Sequence, residues 1–145
     1  MESSVSFVLP AVSASFFLTA SAKAVISFLS FSSGRPVPYT LAMLCSVATA
    51  AAAAGMDERI FLNTRGKLAE GTVSNLFLVS GGRIYPPALS CGLLPGVLRS
   101  YLLERYRVEE GEIDPRELEN FDECFVTNSL MGVMPVRQLG ERVFP

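Results

Sequence analysis

The hydrophobic pattern changes character twice along the chain. Residues 5–31 form a nearly unbroken run rich in Ala, Ser, Phe, Val and Leu, interrupted by Lys23, close to the length that spans ~30 Å of hydrocarbon as a helix. After Pro36 and Pro38 comes an alanine-rich run, residues 41–54, whose helix propensity is high and which Gly55 closes at a C′ position. From Glu58 onward the period shortens. Residues 59–63 and 67–79, rich in branched and aromatic side chains, predict the two arms of a hairpin joined through the Asn63-Thr-Arg-Gly66 turn. A second turn at Ser80-Gly81-Gly82 leads to a short strand at residues 83–85, which Pro86 and Pro87 stop.

Further along, Leu94-Pro95-Gly96 opens a helix through Tyr106, with Val97, Leu98, Tyr101, Leu102 and Arg105 spaced around an apolar stripe. Residues 108–113 predict a short strand. Asp114-Pro115-Arg116-Glu117 places Asp at a cap, Pro at N1 and Glu at N3, a helix start that runs to about Phe121. Residues 124–127 read as a strand, Asn128-Ser129 as a turn and residues 132–136 as resumed extended chain. Strands mixed with short helices predict an α+β or α/β domain, and no internal repeat is visible.

Composition adds a boundary. Of 12 basic and 14 acidic side chains, only Glu2, Lys23 and Arg35 fall within residues 1–56. We therefore divide the chain into an apolar segment, 1–40, and a domain, 41–145; 145 residues suffice for one modest core. The start Met-Glu-Ser-Ser lacks the basic region of a secretory signal, so a cytoplasmic location is expected and a membrane association is not. A net charge of -2 gives no electrostatic pull toward nucleic acid. Without any His, and with Cys45, Cys91 and Cys124 in no CxxC spacing, no metal site is expected and the cysteines read as buried thiols.

Three blocks carry the chemistry. In Glu70-Gly-Thr-Val-Ser-Asn75-Leu-Phe-Leu-Val79, an acid sits among apolar and small residues, where an unpaired carboxylate costs several kcal/mol; it needs a cationic partner, or else it faces solvent from its strand. In Gly92-Leu-Leu-Pro-Gly96-Val-Leu-Arg99, a helix start presents free N–H groups and its dipole to an anion, or is an ordinary tight turn. In Phe125-Val-Thr-Asn128-Ser129-Leu-Met-Gly132-Val-Met-Pro135-Val136, Thr127, Asn128 and Ser129 supply donors suited to phosphate oxygens, or form only a turn.

Taken together, in this order and spacing, the blocks resemble the class IV aminotransferases, the fold-type IV pyridoxal-phosphate enzymes. The resemblance covers roughly residues 55–136 and implies the cofactor-binding C-terminal domain of that fold, here truncated and preceded by an apolar segment that matches nothing in the family. It implies pyridoxal 5'-phosphate as cofactor, with Glu70 on the pyridine nitrogen, keeping the ring electron-withdrawing. The backbone amides of Gly96, Val97 and Leu98, and the hydroxyl of Ser129, are implied on the cofactor phosphate. A small amino substrate and a homodimer with the active site near the subunit interface are implied as well. The third block is most similar to that of aminodeoxychorismate lyases, which eliminate pyruvate from 4-amino-4-deoxychorismate to give 4-aminobenzoate for folate synthesis. Branched-chain and D-amino-acid aminotransferases are the alternative, since transamination begins with the same steps.

The sequence departs from the family in three respects. Leu98 stands where many members have Thr, which leaves only the backbone contact there. Tyr85 stands where Thr before proline is common. The lysine that holds the cofactor covalently and moves the α-proton lies, in the family, some 30–35 residues before the Glu. Residues 35–40 contain none, and the only lysines in the chain are Lys23 and Lys67. Lys67 stands three residues before Glu70 on the adjoining turn, a poor position for that task, and the catalytic residue is left unassigned. Two explanations are open: residues 1 to about 40 come from a shifted frame, an erroneous start or a fusion, or the chain is a non-catalytic remnant that kept the cofactor scaffold.

Overall fold

The computed structural model describes residues 25–30 (backbone), 53 and 55–145. Among them nine strands form one sheet: β1 (Val25–Ser30), β2 (Glu58–Leu62), β3 (Leu68–Gly71), β4 (Asn75–Ser80), β5 (Arg83–Tyr85), β6 (Glu123–Asn128), β7 (Gly132–Pro135), β8 (Gln138–Leu139) and β9 (Arg142–Val143). They lie in the order β7-β6-β4-β3-β2-β1-β8-β9, with β5 beside the far end of β4. One α-helix, α1 (Val97–Arg105), and two 3-10 turns, Leu89–Cys91 and Pro115–Asn120, complete the described elements. This is the mixed, sheet-rich fold that the sequence pattern implies.

Val25–Ser30 falls at the end of the apolar run whose length would admit a membrane helix, and these residues form a strand. These six residues are extended; β2 pairs in parallel along Ile26–Ser30 and β8 beside Val25 and Ile26, and Val25, Ile26 and Phe28 are strand formers. Among the described residues no helix is long and apolar enough to cross a membrane. The predicted helix over residues 41–54 lies outside the described residues except for Ala53. Gly55 has φ +71°, the left-handed geometry of a C′ glycine.

The predicted 67–79 arm is broken in two. Lys67 precedes β3, and the chain reverses over Thr72-Val73-Ser74, so that Glu70 pairs antiparallel with Asn75. Alternation alone misses this reversal because Gly71 through Asn75 keep the small, branched composition of a strand. The strand expected at residues 108–113 is reduced to two bridges, Ile84 with Val108 and Pro87 with Gly111. Pro86 and Pro87 have no N–H to donate, so the pairing is interrupted beyond Ile84 and resumes only through the Pro86 carbonyl and the Ala88 N–H, both bonded to Gly111. Both β8 and β9 are two-residue strands that no periodicity reveals.

The sheet buries apolar residues on both faces, as the alternation along β4 and β6 requires. Leu76, Leu78, Cys124 and Val126 join Ile60, Leu68, Leu118, Val136 and Leu139 in the larger cluster. The opposite positions, Phe77, Val79 and Phe125, pack with Ile84 and with Leu102 of α1. Phe77 and Phe125 stack at 4.8 Å between centroids. Of the residues expected to form the apolar stripe of α1, Leu102 is buried, but Val97 is 79 % exposed and the deeply buried side chain is Arg99. The Arg99 guanidinium donates to the Pro87 carbonyl at 3.1 Å and pairs with Glu110, which fastens the helix to the segment beyond β5. At the other 3-10 turn the predicted capping box is present, with Asp114 accepting from the Arg116 N–H and Glu117 returning to the Asp114 N–H.

Candidate cofactor site

The β3–β4 reversal, the Leu94–Leu98 turn and the end of β6 converge on one cleft of about 460 Å³. Its lining includes Glu70, Gly96, Val97, Leu98 and Ser129, so the structure brings together all five residues singled out from the three blocks. They are 26 to 59 positions apart along the chain if counted from Glu70, and their meeting follows from the β4–β6 ladder, which pairs Asn75 with Thr127. Glu70, Asn75 and Thr127 thus form one cross-strand row, on the sheet face that carries α1.

Glu70 is 8 % exposed. Its Oε2 accepts the Leu94 N–H at 3.0 Å and, more loosely, the Asn75 side-chain amide at 3.4 Å. No Lys or Arg among the described residues forms an ion pair with it, so the cationic partner expected from sequence is replaced by amide donors. Burial pushes its carboxyl above the usual range; the Leu94 N–H opposes this and the neighbouring Glu58 adds to it. A buried acid with a raised pKa on the wall of a cleft is suited to share a proton with a basic ring nitrogen.

Asn75 ties the acid to the helix start. Its Nδ2 donates to the Leu94 carbonyl at 2.8 Å, and a Cβ at Gly96 would come within 2.2 Å of its Oδ1. Gly96 is therefore required by close approach. As N-cap of α1 it offers no side chain to the first-turn amides, and no acid occupies that turn, which leaves the positive helix end open to an anion. Opposite, Asn128 Oδ1 is engaged by the Leu130 and Met131 N–H groups, which shapes the turn that carries Ser129.

Glu58 was missed by sequence reasoning, since nothing in its context sets it apart from an exposed acid at a strand start. It is 9 % exposed and accepts the Val73 N–H at 2.9 Å and the Ser74 hydroxyl at 2.7 Å, pinning the reversal that carries Glu70. A Cβ at Gly71 would lie 2.4 Å from the Glu58 carboxylate. Phe61, Thr72 and Val73 also line the cleft.

Lys67 is not among the lining residues; its Nζ is paired with Asp114 at 3.2 Å. Lys23 and residues 35–40 lie outside the described residues. Cys91 and Cys124 are free and buried, and burial raises both thiols; Cys45 is outside the described residues. Among the described residues no cluster of metal-ligating side chains occurs.

A Thermotoga maritima protein named "Probable branched-chain-amino-acid aminotransferase" is 37% identical over 90 residues, covering 59% of this chain and 33% of that protein. The aminodeoxychorismate lyase of Bacillus subtilis is 35% identical over 89 residues, covering 58% and 30%. The chain thus spans about a third of the length of the curated relatives it matches. A Legionella pneumophila structure provisionally described as 4-amino-4-deoxychorismate lyase superposes with a TM-score of 0.77 at 26% identity, over 86% of this chain and 50% of that one. The branched-chain amino acid aminotransferase of Escherichia coli gives 0.67 at 26% identity, over 83% and 46%. The family model for amino-transferase class IV matches residues 40–139, more than half of the sequence, and the chain belongs to that family.

Proposed function

We propose that this chain is the cofactor-holding portion of a pyridoxal-phosphate enzyme of the aminodeoxychorismate lyase kind. The observation that carries the reading is the pairing, within one cleft, of a buried acid of raised pKa with an uncapped helix start. The two are tied through Leu94 and Asn75. These residues fit the cofactor. A phosphate would accept from the N–H groups of the Gly96–Leu98 turn and from the Ser129 hydroxyl, and a pyridine nitrogen would find an acid at Glu70. When bound, pyridoxal phosphate supplies an electron-withdrawing ring that accommodates negative charge at the α-carbon of an amino substrate.

The chain's own residues bind and orient. Glu70 would share a proton with the ring nitrogen, and a protonated ring beside it would offset the cost that burial places on its carboxylate charge. The Leu94 N–H and the Asn75 amide fix the carboxyl, so its second oxygen is the one presented to the ligand. Among the described residues no Lys or Arg lines the cleft, and the helix start would itself offset phosphate charge. Among the described residues no lysine lines the cleft, so proton transfer at the substrate is assigned to none of them.

The lyase reading rests on Thr127-Asn-Ser-Leu-Met-Gly-Val-Met-Pro-Val136 and on the lyase-described neighbour. The 37% identity to a branched-chain aminotransferase relative favours transamination as the second reading. Mixing the purified chain with pyridoxal phosphate, reducing with borohydride and mapping peptides tests the assignment. One adduct on Lys23 makes the site complete within this chain. Saturable binding without a lysine adduct makes the chain a cofactor scaffold. A folded chain that does not bind the cofactor contradicts the proposal. Release of 4-aminobenzoate from 4-amino-4-deoxychorismate, against formation of a branched-chain 2-oxo acid, separates the lyase from the aminotransferase.

A further inference from the structure

Thr127 is the least satisfied group of the cleft. It is 2 % exposed, it is one of the residues lining the cleft, and its Oγ1 has no hydrogen-bond partner among the described residues. Its place on β6, opposite Asn75 and alternating with Val126, turns it to the same face as Phe77 and Phe125, the face that carries α1. A buried hydroxyl left unpaired is a standing penalty in the free protein, and a valine of the same shape would remove that penalty. Two independent features therefore converge on the cleft: a helix start of nine residues with no capping side chain, and an orphaned donor on the strand beneath it. Rotation about χ1 exchanges the hydroxyl and methyl of a threonine between staggered wells, so the donor can be turned to a ligand without backbone movement.

We infer that Thr127 is a further ligand-contacting residue, whose hydroxyl donates a hydrogen bond to an oxygen of the phosphate group received at the Gly96–Leu98 turn. This rests on the cofactor reading above and extends it to a residue whose partner is the ligand. The unpaired hydroxyl is then a feature of the free protein alone. Its removal has opposite effects on stability and on binding, which a residue of purely structural importance does not produce.

The test uses the whole chain and its Thr127→Val and Thr127→Ser variants, titrated calorimetrically with pyridoxamine 5'-phosphate, pyridoxamine and inorganic phosphate, with thermal melts of each free protein. Pyridoxamine phosphate has no aldehyde to react with surface amines. The expected result is that T127V melts above the parent when free, yet binds pyridoxamine phosphate about tenfold more weakly. T127S retains the parent affinity, and pyridoxamine binds parent and T127V alike. Parent-like binding of pyridoxamine phosphate by T127V overturns the inference and leaves the cofactor reading standing. An equal loss toward pyridoxamine overturns it too, by moving the contact off the phosphate. Inorganic phosphate binding as tightly as pyridoxamine phosphate would make this a free-anion site and reject the cofactor-phosphate assignment. If the folded parent binds no pyridoxamine phosphate, the cofactor reading and this inference fall together.

Discussion

The backbone N–H of Leu94 donates to Oε2 of Glu70 at 3.0 Å, joining the turn that opens α1 to the acid on β3 across 24 positions of sequence. On the proposed reading, the separation between the acid and the helix start is what a ligand with a ring nitrogen at one end and a phosphate at the other must match. A direct bond between the two poles holds that separation fixed before any ligand arrives, which reduces the ordering cost of binding.

Asn75 and Gly96 should behave as a coupled pair. With the Asn75 amide held by the Leu94 carbonyl, Gly96→Ala places a Cβ against Oδ1 and is expected to destabilise by ~1–3 kcal/mol, the usual range for overpacking. In the Asn75→Ala background the same substitution should cost less. A double-mutant cycle in urea measures the difference; additive effects would show that Asn75 does not press on Gly96.

Glu58 should matter through the loop it pins. Removing its carboxylate in Glu58→Ala leaves the Val73 N–H and Ser74 hydroxyl without their acceptor, at a cost of ~1–3 kcal/mol. Glu58→Gln keeps one acceptor oxygen and should lose less. Both changes remove a negative charge that raises the Glu70 pKa, so ligand-free Glu70, followed by NMR, should titrate lower in E58Q than in the parent.

The raised Glu70 pKa fixes the sign of a pH effect. Between its unfolded value and its higher folded value, the folded state binds the extra proton, so stability falls as pH rises through that window and stays reduced above it. Glu70→Gln is expected to be more stable than the parent at neutral pH and to lose that advantage on acidification below the ordinary glutamate range. Asp114 acts oppositely: Arg116 holds its carboxyl far below the usual range, so its contribution is present above the unfolded pKa and is lost as acid protonates it. Urea midpoints of parent and E70Q between about pH 3 and 8, and of parent and Asp114→Asn carried down to about pH 1.5, check both signs.

Local chemistry made much of this legible before the fold. Pro115 after Asp114 with Glu117 three positions on marked a helix start, and the capping box is there. Leu94-Pro95-Gly96 marked another, and α1 begins at Val97. Glu70, an acid among small and apolar residues, stood out as a group that needed a cation or solvent, and the structure buries it against amide donors instead. Long-range information was not readable from local pattern. The reversal at Thr72-Val73-Ser74 is set by Glu58, which lies 15 and 16 positions from the two groups it holds, and a strand at Val25–Ser30 depends on parallel partners on both edges. The depth of Arg99 reflects a carbonyl at Pro87 and an acid at Glu110, neither of which helical periodicity can see.

The most direct test of the central claim is calorimetric titration of the folded chain and its Glu70→Ala variant with pyridoxamine 5'-phosphate. The account predicts one saturable site in the parent and an affinity reduced by about tenfold or more in E70A, the loss expected for a charge-assisted hydrogen bond. Equal affinity in the two proteins, or no binding by the folded parent, would contradict the assignment of this cleft.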